Sequence, residues 1–177
     1  MTTPSVEYRT LPLSNGMIAY VSPRIFEIVC GFRWHVRTSR TKGRIQRYIF
    51  RHANGEPDGP YIYLHRLVLG LHKGDPRTGD HENHDTLDNT DKNLRIATRL
   101  QQQRHTQKPI TNTSGYKGVC WQKSANKWTV GISVNNKRKH IGLFPRHALL
   151  EAARAYDAAA RQIFGEFADL NFPEHNS

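Results

Sequence analysis

The run 147–164, HALLEAARAYDAAARQIF, leaves this chain the least freedom. It is rich in alanine, the strongest helix former, and Leu149, Ala152, Ala153, Tyr156, Ala160 and Ile163 recur on one stripe at helical spacing. Pro145 can open the helix and Gly165 stands at its stop. A helix of this kind has to bury its stripe, and the small alanines let a sheet approach closely. The residues before it supply one. Three short runs, 116–122, 128–134 and 139–143, are separated by the turn residues Ser124-Ala125-Asn126 and Asn135-Asn136. The spacing predicts a three-stranded antiparallel meander packed on one long helix.

Charge says what such a sheet is for. The chain has 177 residues, enough for one domain or two small ones, with 26 Lys and Arg against 15 Asp and Glu, a net charge of +11. Residues 108–150 carry 8 Lys or Arg and no acid at all, whereas 1–107 carry a net +6 and 151–177 a net −3. Solvated faces usually mix both signs, so an acid-free block points to a polyanion and above all to nucleic acid. Mean hydropathy is −0.70 and no apolar run approaches the roughly 18 residues of a membrane span. With no secretory signal in view, the expectation is a cytoplasmic protein that meets no membrane. Two cysteines, Cys30 and Cys120, make no disulfide framework, and without a C-x-x-C pair there is no zinc-ribbon signature.

Upstream, 1–60 reads as short strands and turns. Candidate strands are 17–21 after the turn pair Asn15-Gly16, then 31–37 and 47–50, with a Gly/Pro/Asp loop at 54–60. Residues 62–72 (IYLHRLVLGLH) have Leu64, Leu67, Val68 and Leu71 at helical spacing. A Gly/Pro/Asp-rich break follows at 73–79, a short strand at 94–98, and a polar, helical start at 99–107. Residues 106–114 (TQKPITNTS) read as a linker.

The His-rich centre, DHENHDTLDNTDKN (80–93), admits several chemistries. HENH has its histidines three apart, not four, which disfavours a zinc metalloprotease. The segment is rich in oxygen ligands but lacks the glycine and terminal Glu of a calcium loop. A solvated acidic loop is the plain structural alternative. Neighbours on a regular strand point to opposite faces, so Asp80 and His81 share a site only if the chain bends there, and Gly79 is the residue expected to bend it.

Two family resemblances give these residues roles. YKGV (116–119), the strand with Trp128, IGLF (141–144), EAARAYDAAA (151–160) and LNFP (170–173) occur in an order and spacing that resemble the Apetala-two/ethylene-response-factor DNA-binding domain. The resemblance implies a sheet lying in the major groove of double-stranded DNA. Strand alternation makes Lys117, Gln122, Ser133, Arg138 and His140 candidates for the outer face, with Lys123, Lys127, Lys137 and Lys139 near turns and on phosphates. Trp121 joins them, sheet packing being its alternative and the equal one for Trp128. Cys120 and Ser133 stand where plant members usually show Arg, so their base preference does not carry over.

The second resemblance covers nearly all of the rest. LHRLVLG (64–70), Asp80-His81, Leu87-Asp88-Asn89, NLRIAT (93–98) and FEIVCGFRWHV (26–36) resemble HNH homing endonucleases of the phage and mobile-intron type. It implies an α+β chain with the following parts: 1–60 as a β-rich region, 61–105 as a ββα-metal core, 106–114 as linker and 115–173 as the DNA-binding domain. It also implies a metal-dependent, site-specific DNA endonuclease. His81 is then the general base, suited by an unperturbed pKa of about 6.5. Asp80 offers a hard oxygen to one divalent cation, Mg²⁺ or Mn²⁺. Asn93 orients His81 or holds the loop, and His65 is catalytic or structural. His84, Asp85, Asp88 and Asn89 shape the loop.

Two positions depart from the pattern. Gln102 stands where a second metal ligand is usually Asn or His, with His105 one turn on as a substitute, and Thr90 stands where Arg is common. The alternative function is therefore a sequence-specific DNA-binding protein with a decayed nuclease. Two modules in tandem suit an asymmetric site and favour a monomer over a dimer.

Overall fold

The computed structural model describes residues 8–41, 44–105, 108–109, 111–135 and 137–173. The chain is mixed α and β, with small sheets and one long helix, and divides into two compact units, Met1–Arg99 and Leu100–Ser177. Among the described residues no helix is long and apolar enough to cross a membrane.

Among the described residues, the first unit holds three sheets. β1 (Arg9–Pro12) and β2 (Ile18–Val21) form an antiparallel hairpin about Gly16, whose φ of 83° suits glycine. β7 (Asp88–Asn89) adds to β2 in parallel. β3 (His35–Thr41), β4 (Arg44–His52) and β5 (Tyr61–Tyr63) form an antiparallel sheet, and β6 (Thr78–His81) pairs with β8 (Leu94–Ala97). One core joins them, with Leu11, Val21, Ile25, Trp34, Ile49 and Leu64 at its centre.

Two local expectations change. Residues 23–29 form a helix, α1 (Pro23–Val29), where short strands and turns were expected. The segment is rich in β-formers, but Pro23 suits a first turn and Ile25 and Val29, four apart, both bury. The strand expected at 31–37 starts later, at His35. The helical spacing over 62–72 yields only α2 (Leu64–Val68), because 61–63 pair with β4 instead. α2 stops at Gly70 (φ 66°), and the Arg66 guanidinium then donates to the carbonyls of His72, Asp75 and Arg77 at 2.7–3.3 Å, gathering the loop that leads to β6.

In the second unit α3 (Arg99–Arg104) crosses the boundary between the units. β9 (Val119–Gln122), β10 (Lys127–Val134) and β11 (Lys137–Phe144) form the antiparallel meander, and α4 (Leu149–Phe164) lies on it. Val119, Val130 and Ile132 meet Ala152, Ala153, Tyr156 and Ala160, all buried. Gly118 shows how tight the approach is: a Cβ there would lie 2.0 Å from the Tyr156 ring. The closing LNFP segment is pinned by buried Asp157, whose carboxylate accepts from the backbone N–H of Asn171 (2.8 Å) and Phe172 (2.9 Å). Residues 106, 107 and 110 of the expected linker lie outside the described residues.

Candidate functional site

The bend expected at Gly79 is absent: 78–81 is a regular strand, Asp80 opposite Arg95 and His81 opposite Leu94. Gly79 is needed for space. A Cβ there would stand 2.8 Å from Cδ2 of His65 and 2.9 Å from Cδ1 of Leu69, so only glycine lets α2 lie this close to β6. Gly79 and His81 are two apart and share a face. That face turns to α2, and the rings of His65 and His81 meet edge to face with centroids 5.9 Å apart. Burial pushes the His65 imidazole down to about 4, helped by the charges of His81 and Arg66. Burial also lowers His81, against the opposing pull of Asn89 and of the Asp80, Asp88 and Asp85 carboxylates. Burial thus favours the neutral form of both rings.

Asp80 has the other parity. Its carboxylate is buried (5% exposed) and accepts from Arg95 Nε at 3.0 Å, while Arg95 Nη1 reaches Glu82 at 3.0 Å. Asn93 holds the loop between β6 and β8. Its Oδ1 accepts from the Asn83 backbone N–H (2.9 Å) and its Nδ2 donates to the Asp88 carbonyl (2.7 Å). Buried Asn89 is the residue beside His81: its Oδ1 lies 3.4 Å from His81 Nε2, and its Nδ2 donates to the Thr86 carbonyl. Sequence reasoning placed Asn89 among the loop-shaping residues. Only the parallel pairing of β7 with β2 carries it to the imidazole. Thr90 donates its hydroxyl to Asp88 (2.8 Å), which closes the same loop. Gln102, exposed, and His105, buried, both belong to the second unit.

On the meander, register sorts the DNA candidates. Gln122 and Lys127 are paired, as are Ser133 and Arg138, and His140 pairs with Gly131; all five side-chain positions share the face turned away from α4. A bulge at Ile141, beside the 130/131 step, shifts the alternation of β11 by one residue. A Cβ at Gly131 would meet Arg138 Nε at 2.8 Å, so the missing side chain lets the guanidinium lie across this face. Lys123 sits exposed in the turn after β9. Lys139 pairs with Ile132 and shares its parity, yet is exposed. Trp121 has the parity of Val119. It packs edge to face on Trp128 at 4.8 Å, with the Arg146 guanidinium 5.8 Å from its ring centre. The Lys117 ammonium pairs with Asp169 at 3.0 Å, both side chains mostly buried. Leu143, 46% exposed on the outer face, was not anticipated, because the bulge shifts the alternation that would have flagged it.

Over most of its length the chain is similar to a viral HNH protein. This is the uncharacterized HNH endonuclease L560 of Acanthamoeba polyphaga mimivirus, 29% identical over 173 residues, spanning 94% of this chain and 82% of the viral one. Part of the chain is similar to plant proteins: dehydration-responsive element-binding protein 2A of rice (35% over 69 residues) and 2D of Arabidopsis thaliana (39% over 66 residues). These matches cover 39% and 37% of this chain, and only 25% and 32% of the plant proteins. No family model matches the sequence, and no solved structure matches it.

Proposed function

We propose that this protein is a site-specific DNA endonuclease of the HNH homing type, with residues 61–105 cutting and 115–173 holding double-stranded DNA. The observation that carries the proposal is the His81 imidazole, flanked by His65 and Asn89 on a strand that Gly79 brings against α2. Similarity to a protein named HNH endonuclease over 94% of the chain supports it.

Hydrolysis of a phosphodiester needs a base for water and a site that holds the phosphate in line. A water proton passes to the free nitrogen of His81. The resulting hydroxide attacks phosphorus, the bond from phosphorus to the leaving oxygen breaks, and that oxygen takes up a proton from solvent water. With Nε2 turned to Asn89 Oδ1, Nδ1 is the nitrogen that accepts the proton. Asn93 keeps the loop closed around the site. Asp80 offers a hard carboxylate oxygen of the kind a divalent cation takes, but it lies on the opposite face of the regular strand from His81 and is paired with Arg95, so as it stands it does not complete a cation site beside His81. The proposed step does not use Gln102, which is exposed on α3.

On the meander, Gln122, Ser133, Arg138 and His140 read or grip the groove, and Lys123, Lys127 and Lys139 meet phosphates. Lys117 is left out, because its ammonium serves Asp169.

Supercoiled plasmid with Mg²⁺ or Mn²⁺ tests the reading beside His81→Ala. The wild type is expected to relax or linearise it and the variant is not. A second reading, DNA binding without cleavage, is favoured by the Arg95 guanidinium already seated on Asp80. It stands if both proteins shift DNA in a gel and neither cuts.

A further inference from the structure

The β3–β4–β5 sheet has one face in the core and one in water. Val36 and Ile49 lie on the inner face. The register places His35 opposite Phe50 and Phe50 opposite Tyr63, with Arg37 opposite Tyr48 and His52 opposite Tyr61. These residues share the outer face, which is a continuous field of rings. The Phe50 centroid lies 4.8 Å from that of Tyr61 and 5.7 Å from those of both His35 and His52. The field runs on into the candidate active site: Tyr48 to Tyr63 is 6.4 Å, Tyr63 to His65 is 5.8 Å, and His65 to His81 is 5.9 Å. Tyr61 is 52% exposed and Tyr48 37%.

Charge on this sheet has one sign. Residues 28–55 carry seven Lys or Arg and no acid, a second acid-free block apart from that at 108–150. A cleft of about 420 Å³ opens where the rings meet α2, lined by Arg37, Ser39, Tyr48, Tyr63, His65 and Thr78 among others.

We propose that this face is a stacking platform for unpaired DNA bases, leading a single strand to the His65–His81 pair. Rings needed only for packing are expected on the core side of a sheet, whereas these lie on the solvent side, with Arg37 and Arg66 beside them in the cleft. Aromatic rings beside a positive groove are what single-stranded nucleic acid requires, since every base has a π-face and every nucleotide a phosphate. A closed duplex keeps its base faces inside the stack, so the occupant is a frayed, nicked or extruded strand. Binding here is separate from cleavage and from the meander, and it is measurable with cutting switched off.

The test uses the full chain in EDTA, by fluorescence anisotropy. Three labelled ligands are compared: oligo-dT of about twelve nucleotides, within the usual site sizes, an abasic sugar–phosphate strand of equal length, and a hairpin duplex. Oligo-dT is expected to bind at least about tenfold tighter than the abasic strand, from stacking of one or more bases. Tyr48→Leu with Tyr61→Leu keeps apolar bulk but removes the rings. It should erase that preference and leave duplex affinity unchanged, while Tyr61→Trp keeps the preference. Equal binding of oligo-dT and the abasic strand by the wild type overturns the proposal, as does a preference that survives the double substitution. Should the double variant not fold, photo-cross-links from 5-iododeoxyuridine strands to the wild type decide. Adducts within 35–63 support the platform, and adducts confined to 115–173 overturn it.

Discussion

His65 and His81 stand edge to face, 5.9 Å apart between ring centres, one on a helix and one on a strand. Each buries the other, and neither can take up a proton without loss. For His65 the folded value is about 4 against an ordinary 6.5, so the unfolded chain binds more protons between these limits. Stability is therefore full above pH 6.5 and falls as pH drops through the window towards 4. The contribution at stake is about 3 kcal/mol. Urea unfolding at intervals from pH 4 to 7 should show this slope, and His65→Asn should flatten it. An unchanged slope in the variant would assign the pH dependence elsewhere.

Asn89 tunes the proposed base. Burial lowers His81, and the Asn89 contact is the largest of the opposing influences. Asn89→Asp puts a carboxylate beside the imidazole and should raise the pH below which cutting fails. The pH profile of kcat/KM reads this directly, since the acid limb should move upwards. A limb that stays where it is would mean that another group sets it.

Gly79→Ala would place a methyl carbon 2.8 Å from the His65 ring and 2.9 Å from Leu69. The Leu69 end can swing away, but the ring has to move from its place against His81. Overpacking of this kind costs about 1–3 kcal/mol. Cutting should fall by more than the loss of folded protein explains. A thermal melt paired with specific activity separates the two.

Arg95→Gln leaves the Asp80 carboxylate buried without its guanidinium. Breaking a buried pair from one side costs about 3–5 kcal/mol, so the melting temperature should drop by several degrees. The same change removes the positive group that a divalent cation has to share. Mg²⁺ is accordingly expected to restore much of the lost stability in the variant and little in the wild type. Equal Mg²⁺ effects on both melting temperatures would count against Asp80 as a ligand.

Arg138→Ala should weaken duplex binding and lower the slope of log affinity against log salt by about one unit if the guanidinium meets a phosphate. Lys117→Ala provides the contrast. Its ammonium is tied to Asp169, so the change should lower the melting temperature and leave the salt slope alone. Reversed outcomes would exchange the roles given to the two residues.

The second unit was legible because its signals are local. The helical stripe of 147–164, the turns at 124–126 and 135–136 and strand alternation depend on residues a few positions apart, and they yield α4, the meander and most of its outer face. Alternation misled at Lys117, which precedes β9 and turns to Asp169, and gave no sign of Leu143, which lies beyond the bulge at Ile141. One inserted residue on one strand exchanges the faces of those beyond it.

The candidate active site was legible only as a set of residue types. Histidines at 65 and 81 and amides at 89 and 93 carry no local sign of how they meet, because the two rings lie 16 positions apart. The sequence by itself determined the positive charge and the chemistry on offer, whereas Gly79, expected to bend the chain, gives α2 room instead. Which face of β6 each neighbour occupies, that Asp80 turns to Arg95 while His81 turns to His65, and that β7 delivers Asn89 were decided by tertiary structure. The reason is physical: strand pairing and burial act between segments far apart in sequence, and the energy that sets them is shared across the whole core.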